Sequence, residues 1–314
     1  MKKNMKKFLF FDVIILIFLF LLSSTNLSVK EKKRDIYRIA VLTDMPHSRQ
    51  LENFYLGVIK SSEHWNVDIS FVNLSDFGNG QEKKAELQKE LDNGCRSVIL
   101  QCKNIDYADE MLSIVPIGVP VVLYNSEAVS ARIRVKIGID FEEESRLLSE
   151  AILKGRQKEE NVTIIDVVEE NQYADKLHEL TEERLKQAGV PVKRIEIEEH
   201  YADTLVKGMT AQGGNILVSC DLSVLQALGS VNGQGFIPIY GAGICKNIQD
   251  TLEKKSIYGT IVHRDYEAGY MAVEQAARIL SGNGAEEVLT IESAFVTSET
   301  LFEKETESIV FPYI

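Results

Sequence analysis

The chain has 314 residues, 45% of them hydrophobic and 26% charged, with a net charge of −12. This is a globular composition, not a disordered one, and it leaves room for two α/β lobes. The charge is uneven: residues 1–34 hold eight Lys/Arg against Asp12 and Glu31, so they carry +6 and the remaining 280 residues carry −18. An acidic body argues against nucleic acid as a partner, because phosphate binding needs a basic surface.

Lys2, Lys3, Lys6 and Lys7 precede an apolar run over 8–22, broken only by Asp12. A basic head before such a run marks an export signal or an N-terminal anchor. The 15 residues of the run fall short of the roughly 20 a spanning helix needs. An extension to Val29 through Ser, Thr and Asn closes that gap and gives a lipid contact over 8–29. Ser23-Ser24-Thr25 offers a small-residue cleavage site, and Lys30, Lys32, Lys33 and Arg34 beyond it blunt the positive-inside argument. An uncleaved single-pass anchor and a cleaved signal both stay open, and either puts the body outside the cytoplasm. The first cysteine is Cys95, so no lipoprotein signal is present.

Tandem βα units follow the basic linker. A strand over 37–43 (YRIAVLT) ends at Asp44, and a helix over 50–63 puts Leu51, Phe54, Tyr55, Val58 and Ile59 on one face. A strand is expected over 67–74, a turn at Asn79-Gly80, and a charged helix over 81–91 with Gly94 where a helix stop belongs. Strand 97–101, helix 106–115 and strand 121–124 complete one doubly wound lobe. Residues 125–135 show no helical face; 136–139 reads as a short strand ending at Asp140, before a helix over 142–153. The pattern restarts with strand 162–168, helix 173–188, strand 193–196, helix 203–211, strand 215–219 and helix 222–228. A glycine-bounded strand over 236–240 leads through Gly241-Ala242-Gly243 to a helix over 245–254, a strand over 257–262 and a helix over 266–280. His263-Arg264-Asp265 lies at the carboxyl end of its strand, where open α/β sheets place their ligands. A last strand spans 291–296. Two α/β halves with an irregular connection between them are the outcome.

Several stretches, in this order and spacing, resemble the type I periplasmic binding proteins, the sugar-binding group that includes LacI-like effector domains. They are IAVLTD, GVPVVLYNS followed by IGID, ILVSCDLSVLQAL, IPIYGAG and YGTIVHRDYEAGYMAVEQAARILSG. The likeness covers about residues 36–302. It implies two Rossmann-like lobes joined by a three-crossing hinge, with crossings near 126–134, at 263 and near 293–295. The lobes would then be 35–127 with 264–292, and 128–263 with 293–314, after an N-terminal membrane segment and linker over 1–34. It also implies a small ligand held between lobes that close by hinge motion. Carboxylates and amides at strand ends suit a sugar, because each can pair with neighbouring hydroxyls.

Five residues carry the expected site. Asp44 ends the first strand and faces the cleft, unless it serves an Asx turn before Pro46. Asn125 falls at the family's ligand position after the fourth strand. Asp140 ends the strand taken to enter the second lobe and is also placed to cap the next helix. Asp221 matches the family's Asn-Asp aspartate and again suits a cap. His263 stands where the family has Gln or Asp. His64, His178 and His200 are expected on the solvated surface.

Some of the family's anchors are replaced. Gln50 and Leu51 stand where stacking aromatics belong, Cys220 replaces an Asn and Gly243 an Asp. A second-lobe arginine has no clear counterpart, though Asn171, Gln172 and Lys176 lie nearby. The four cysteines, Cys95, Cys102, Cys220 and Cys245, form no CxxC and read first as separate buried thiols; the alternative is that Cys220 and Cys245 approach each other at adjacent strand ends.

No catalytic group, metal site or cofactor is expected. Gly241-Ala-Gly243 lacks the third glycine of a dinucleotide fingerprint, no GxSxG or metal-spaced His pair occurs, and no helix-turn-helix is present. The reading is a solute-binding protein for a sugar-like molecule, as receptor for an ABC transporter permease. The alternative is a sensor subunit signalling to a membrane histidine kinase.

Overall fold

The structure, a computed structural model, describes residues 13–16, 36–201, 204–208, 215–233 and 235–312. The chain divides into two units, Met1–Ile36 and Tyr37–Ile314. In the first, residues 13–16 are helical; the rest of the segment over 8–29 lies outside the described residues. Among the described residues no helix is long and apolar enough to cross a membrane.

The second unit opens with β1 (Arg38–Thr43), α1 (Arg49–Trp65), β2 (Asp68–Asn73), α2 (Gly80–Asp92), β3 (Ser97–Gln101), α3 (Ile105–Ile114), β4 (Val121–Tyr124) and β5 (Ile133–Ile139). It continues through α4 (Phe141–Gly155), β6 (Asn161–Val167), α5 (Gln172–Gln187), β7 (Val192–Ile197), β8 (Asn215–Ser219), α6 (Leu222–Val231) and β9 (Ile239–Ala242). The last elements are α7 (Ile248–Glu253), β10 (Gly259–His263), α8 (Asp265–Leu280), β11 (Val288–Ile291), β12 (Ser293–Val296) and α9 (Lys304–Val310). Side chains set the helix starts. Ser48, Asn79, Asn104, Asp140, Asn171 and Asp221 each accept a hydrogen bond from a first-turn backbone N–H.

Two six-stranded sheets result, in the orders β11-β5-β4-β3-β1-β2 and β12-β10-β9-β8-β6-β7. Among the described residues all pairings are parallel except β10 with β12. Helices cover both faces, so alternate strand residues enter different cores. Ile39 and Val41 pack on one side of the first sheet, Ala40 and Leu42 on the other. The second sheet divides Leu217 from Ile216 and Val218 in the same way.

The division of the chain between lobes differs from expectation in one place. β5, taken from the sequence as the strand entering the second lobe, pairs with β4 and β11 in the first sheet. Val135 and Ile137 are buried in the first lobe's core, while Arg134 and Lys136 between and beside them point away from it. The chain therefore crosses at Asp140, not over 126–134. The second crossing is at Arg264, between β10 and α8. The third is at Glu292, where the single strand expected over 291–296 is two strands in two sheets.

Smaller shifts have local causes. The strand expected over 236–240 begins at Ile239, because Pro238 has no N–H to give the ladder, and it takes in Gly241. A Cβ there would stand 2.0 Å from the Ser219 carbonyl oxygen of β8. Of the helix expected over 203–211, residues 204–208 are helical; 203 and 209–211 lie outside the described residues. Cys220 and Cys245 are free buried thiols in cores on opposite sides of the second sheet. No disulfide links them, and both are the separate buried thiols that the sequence suggests first.

Candidate functional site

Parallel strands end on one edge of their sheet, so the loops after β1, β3, β6 and β8 bring side chains from both lobes to one place. They enclose a polar cavity of about 940 Å³. From the first lobe it is lined by Asp44, Lys83 and Lys103, and from the second by Asn171, Asp221 and Ser223, among others. Asp44 is 4% exposed; its N–H donates to Gln101 Oε1 at 2.7 Å, and Lys83 Nζ donates to both its carboxylate oxygens at 2.9 Å. Asp221 is 2% exposed. It accepts from Val224 N–H at 3.0 Å, Asn171 Nδ2 at 2.7 Å and Ser223 Oγ at 2.8 Å. Burial works against its charge, but Lys103 and these donors outweigh it and hold the carboxyl below its usual range.

Contacts between the lobes cross this cavity. Lys103 Nζ stands 3.7 Å from Asp221 Oδ2, Asn104 Nδ2 donates to Glu170 at 2.8 Å, and Gln172 N–H donates to the Lys103 carbonyl at 3.1 Å. Outside this cavity a further inter-lobe contact runs from Glu127 N–H to Gln172 Oε1 at 3.0 Å.

Behind the cavity, at the crossings, lies a polar cluster around the fully buried His263, Glu144 and Asp265. His263 Nε2 is 2.9 Å from Glu144 Oε1 and 3.1 Å from Tyr173 Oη, and its Nδ1 is 3.9 Å from Asp265 Oδ1. Tyr173 also donates to Glu144 at 2.9 Å, and Ser293 Oγ donates to Glu144. On the first-lobe side, Tyr124 Oη and Gln50 Nε2 donate to Asp265 Oδ1 at 2.6 and 3.2 Å. Burial alone would drive the proton off His263, yet Glu144 and Asp265 hold its pKa up at about 9. Burial raises the Asp265 carboxyl to about 6 against the pull of His263, Tyr124 and Gln50.

The five residues singled out from the sequence are therefore dispersed. Asp44 and Asp221 line the polar cavity. Asn125, at a left-handed φ of 41°, lines a second inter-lobe cavity of about 880 Å³. Asp140 is exposed, accepts from Glu143 N–H at 3.0 Å as the cap of α4, and lines neither cavity. His263 also lines neither, because Gln50, Glu144 and Tyr173 surround it. His178, expected at the surface, is fully buried. It accepts from Cys220 N–H through Nε2 at 2.8 Å, so Nδ1 carries the proton donated to Asp166 at 2.8 Å. With Arg194, it outweighs the burial of Asp166 and holds that carboxyl at about 2.

Lys83, Lys103, Glu144 and Tyr173 escaped the sequence reading. A signal existed for Glu144, which shares a helical line with Leu148 and Ile152, all three fully buried. Lys83 stands one turn before the buried Leu87 in the same way. For Lys103 and Tyr173 no local pattern points across the cleft. Among the described residues no group of His, Cys, Asp and Glu could hold a metal ion.

Two largely parallel sheets that exchange the chain three times, with polar strand ends facing each other, define a two-lobed α/β fold with a cleft between the lobes. A family model described as a periplasmic binding protein domain matches residues 114–284, which is 171 of the 314 residues. The chain belongs to the type I periplasmic binding protein family. Solved structures with this fold include a carbohydrate transporter solute-binding protein from Agrobacterium radiobacter in complex with D-arabinose. It is 15% identical with a TM-score of 0.76, over 88% of this chain and 99% of that one. GanP, a glucose-galactose binding protein from Geobacillus stearothermophilus, is 18% identical with a TM-score of 0.69, over 86% and 100%. An ABC transporter solute-binding protein from Agrobacterium vitis with bound D-fucose is 13% identical with a TM-score of 0.72, over 86% and 98%. No curated protein matches the chain.

Proposed function

We propose that the chain is an extracytoplasmic receptor that holds a sugar or sugar-like polyol in the polar inter-lobe cavity and delivers it to an ABC permease. The lining of that cavity carries the reading. Asp44 and Asp221 end strands of opposite lobes, each beside a lysine, with Asn104, Asn171 and Ser223 between them. Such a set offers donors and acceptors side by side, which adjacent hydroxyls need. The relatives named for D-arabinose, D-fucose and glucose-galactose point the same way.

Export and an N-terminal tether through residues 8–29 rest on the basic head and apolar run of the sequence. A tether without a lipoprotein cysteine also favours a second reading, a sensor that reports cleft closure to a membrane histidine kinase. Co-purification of the full chain with a permease or with a kinase separates the two.

The test of the solute class is a thermal-shift screen against sugars, polyols, nucleosides and furanosides. A ligand at 100-fold its Kd is expected to add about 2.7 kcal/mol of stability. Asp221→Ala should then weaken the hit by about tenfold or more, the loss of a bond to a charged group. A flat response across the whole panel sinks the sugar reading.

A further inference from the structure

The inter-lobe space has a second compartment with different chemistry. This cavity of about 880 Å³ lies where the carboxyl ends of β4 and β5 and the start of α3 face α5 of the other lobe, and it shares only Glu170 with the polar cavity. The rings of Phe141 and Tyr173 stand 5.8 Å apart with their planes at 38°, and Ile105, Ile137 and Ile139 extend the apolar wall. A volume of this order suits a small molecule, and walls of this kind suit a flat apolar body.

Of the polar groups around it, one accessible cation is left unmet. Most of the charges are engaged: Lys176 with Glu179 at 3.0 Å, Arg194 with Asp166 at 2.6 Å, and Glu170 with Asn104 at 2.8 Å. Burial pushes the Asp175 carboxyl up, toward its neutral form. Glu127 is exposed and stays hydrated. Lys136, by contrast, makes no ion pair and no side-chain hydrogen bond among the described residues, although it is half-buried. Gln172 Nε2 is buried without an acceptor, while its Oε1 is held by Glu127 N–H. An unmet buried donor is costly and rare in a native fold. Asn125 lines the same cavity from a left-handed backbone, a conformation that a residue with a side chain holds under strain and that clusters at ligand sites.

We propose that this compartment is a second ligand site for a small molecule with a flat apolar body and a carboxylate head. The ring lies against Phe141 and Tyr173, and the carboxylate takes the Lys136 ammonium. An unpaired ammonium suits a carboxylate better than a neutral hydroxyl, because a charge-assisted bond is about twice as strong. The assignment stands on residues outside the polar cavity and does not depend on the sugar reading.

Titration calorimetry on the full chain tests it with phenylacetate, 2-phenylethanol and acetate. Phenylacetate is expected to bind saturably, 2-phenylethanol about tenfold more weakly, and acetate without measurable heat. Lys136→Met should weaken phenylacetate by about tenfold and leave 2-phenylethanol unchanged, a split that general loosening of the fold does not produce. Phe141→Leu should weaken both. Absence of saturable phenylacetate binding up to about 10 mM, a range that covers even weak sites, overturns the proposal. So does equal phenylacetate affinity in wild type and Lys136→Met. No sugar enters this assay, so its failure and the failure of the sugar screen are separate results.

Discussion

His263 stands between Glu144 and Asp265, with all three side chains at 1% exposure or less. One cation between two buried carboxylates is stable only while the charges balance. The His263 pKa is raised from 6.5 to about 9 and the Asp265 pKa from 3.8 to about 6. Both shifts have the same sign. A histidine held above its unfolded value stabilises the fold fully below pH ~6.5 and loses that contribution as pH rises through ~9. A carboxyl held above its unfolded value favours folding in its protonated form, so its contribution also fades, as pH rises through ~6. The stability of the body should therefore fall between pH ~6 and ~9, by roughly 3 kcal/mol from His263. Urea unfolding at a series of pH values measures this, and a flat or rising profile would contradict it. Glu144→Gln should lower the His263 pKa and flatten the same profile. The place of His263 at a strand's carboxyl end was legible in the sequence, because apolar alternation stops there. Its burial was not, because the groups that enclose it come from α1, α4 and α5, far away along the chain.

At the level of elements, α1 and α8 approach until backbone meets backbone. A Cβ on Gly57 would stand 1.9 Å from the Tyr266 carbonyl oxygen, and one on Gly269 would stand 2.1 Å from that of Phe54. The close approach lets Phe54, Val58, Ala272 and Val273 share one fully buried core under the first sheet. Gly57→Ala should force the helices apart and cost about 1–3 kcal/mol or more, as overpacking does. A denaturation midpoint equal to that of wild type would show that the helices yield freely. The apolar face of α1 was readable from its 3.6-residue period, whereas the need for glycine was not, since it arises from a helix some 210 residues later in the chain. β11 and β12 make the same point. Residues 291–296 read as one strand, and the partners of each half, β5 in one sheet and β10 in the other, separate them at Glu292.

Across the whole two-lobed body, the chain makes its own bridges: Lys103 to Asp221, Asn104 to Glu170, and the His263 cluster behind them. The Lys103 side chain is 24% exposed, so its pair with Asp221 should contribute about 1 kcal/mol or less. Replacing Lys103 and Asn104 together by Ala should shift the balance toward open lobes by about fivefold, the factor that 1 kcal/mol gives. Fluorescence energy transfer between dyes on the two lobes reads this shift, and unchanged transfer would assign closure to the buried cluster alone. The sequence by itself determined the strand and helix order, the two-lobed α/β class and the polar strand ends, because these follow from short-range periodicity and from residues that stop it. The tertiary structure alone decided that β5 belongs to the first lobe and that Asp140 is a cap. It also decided that His263 is enclosed and that Asn125 faces a cavity apart from the one lined by Asp44 and Asp221. Those outcomes depend on which side chains from distant segments fill the same space, and a local pattern carries no record of its neighbours across the cleft.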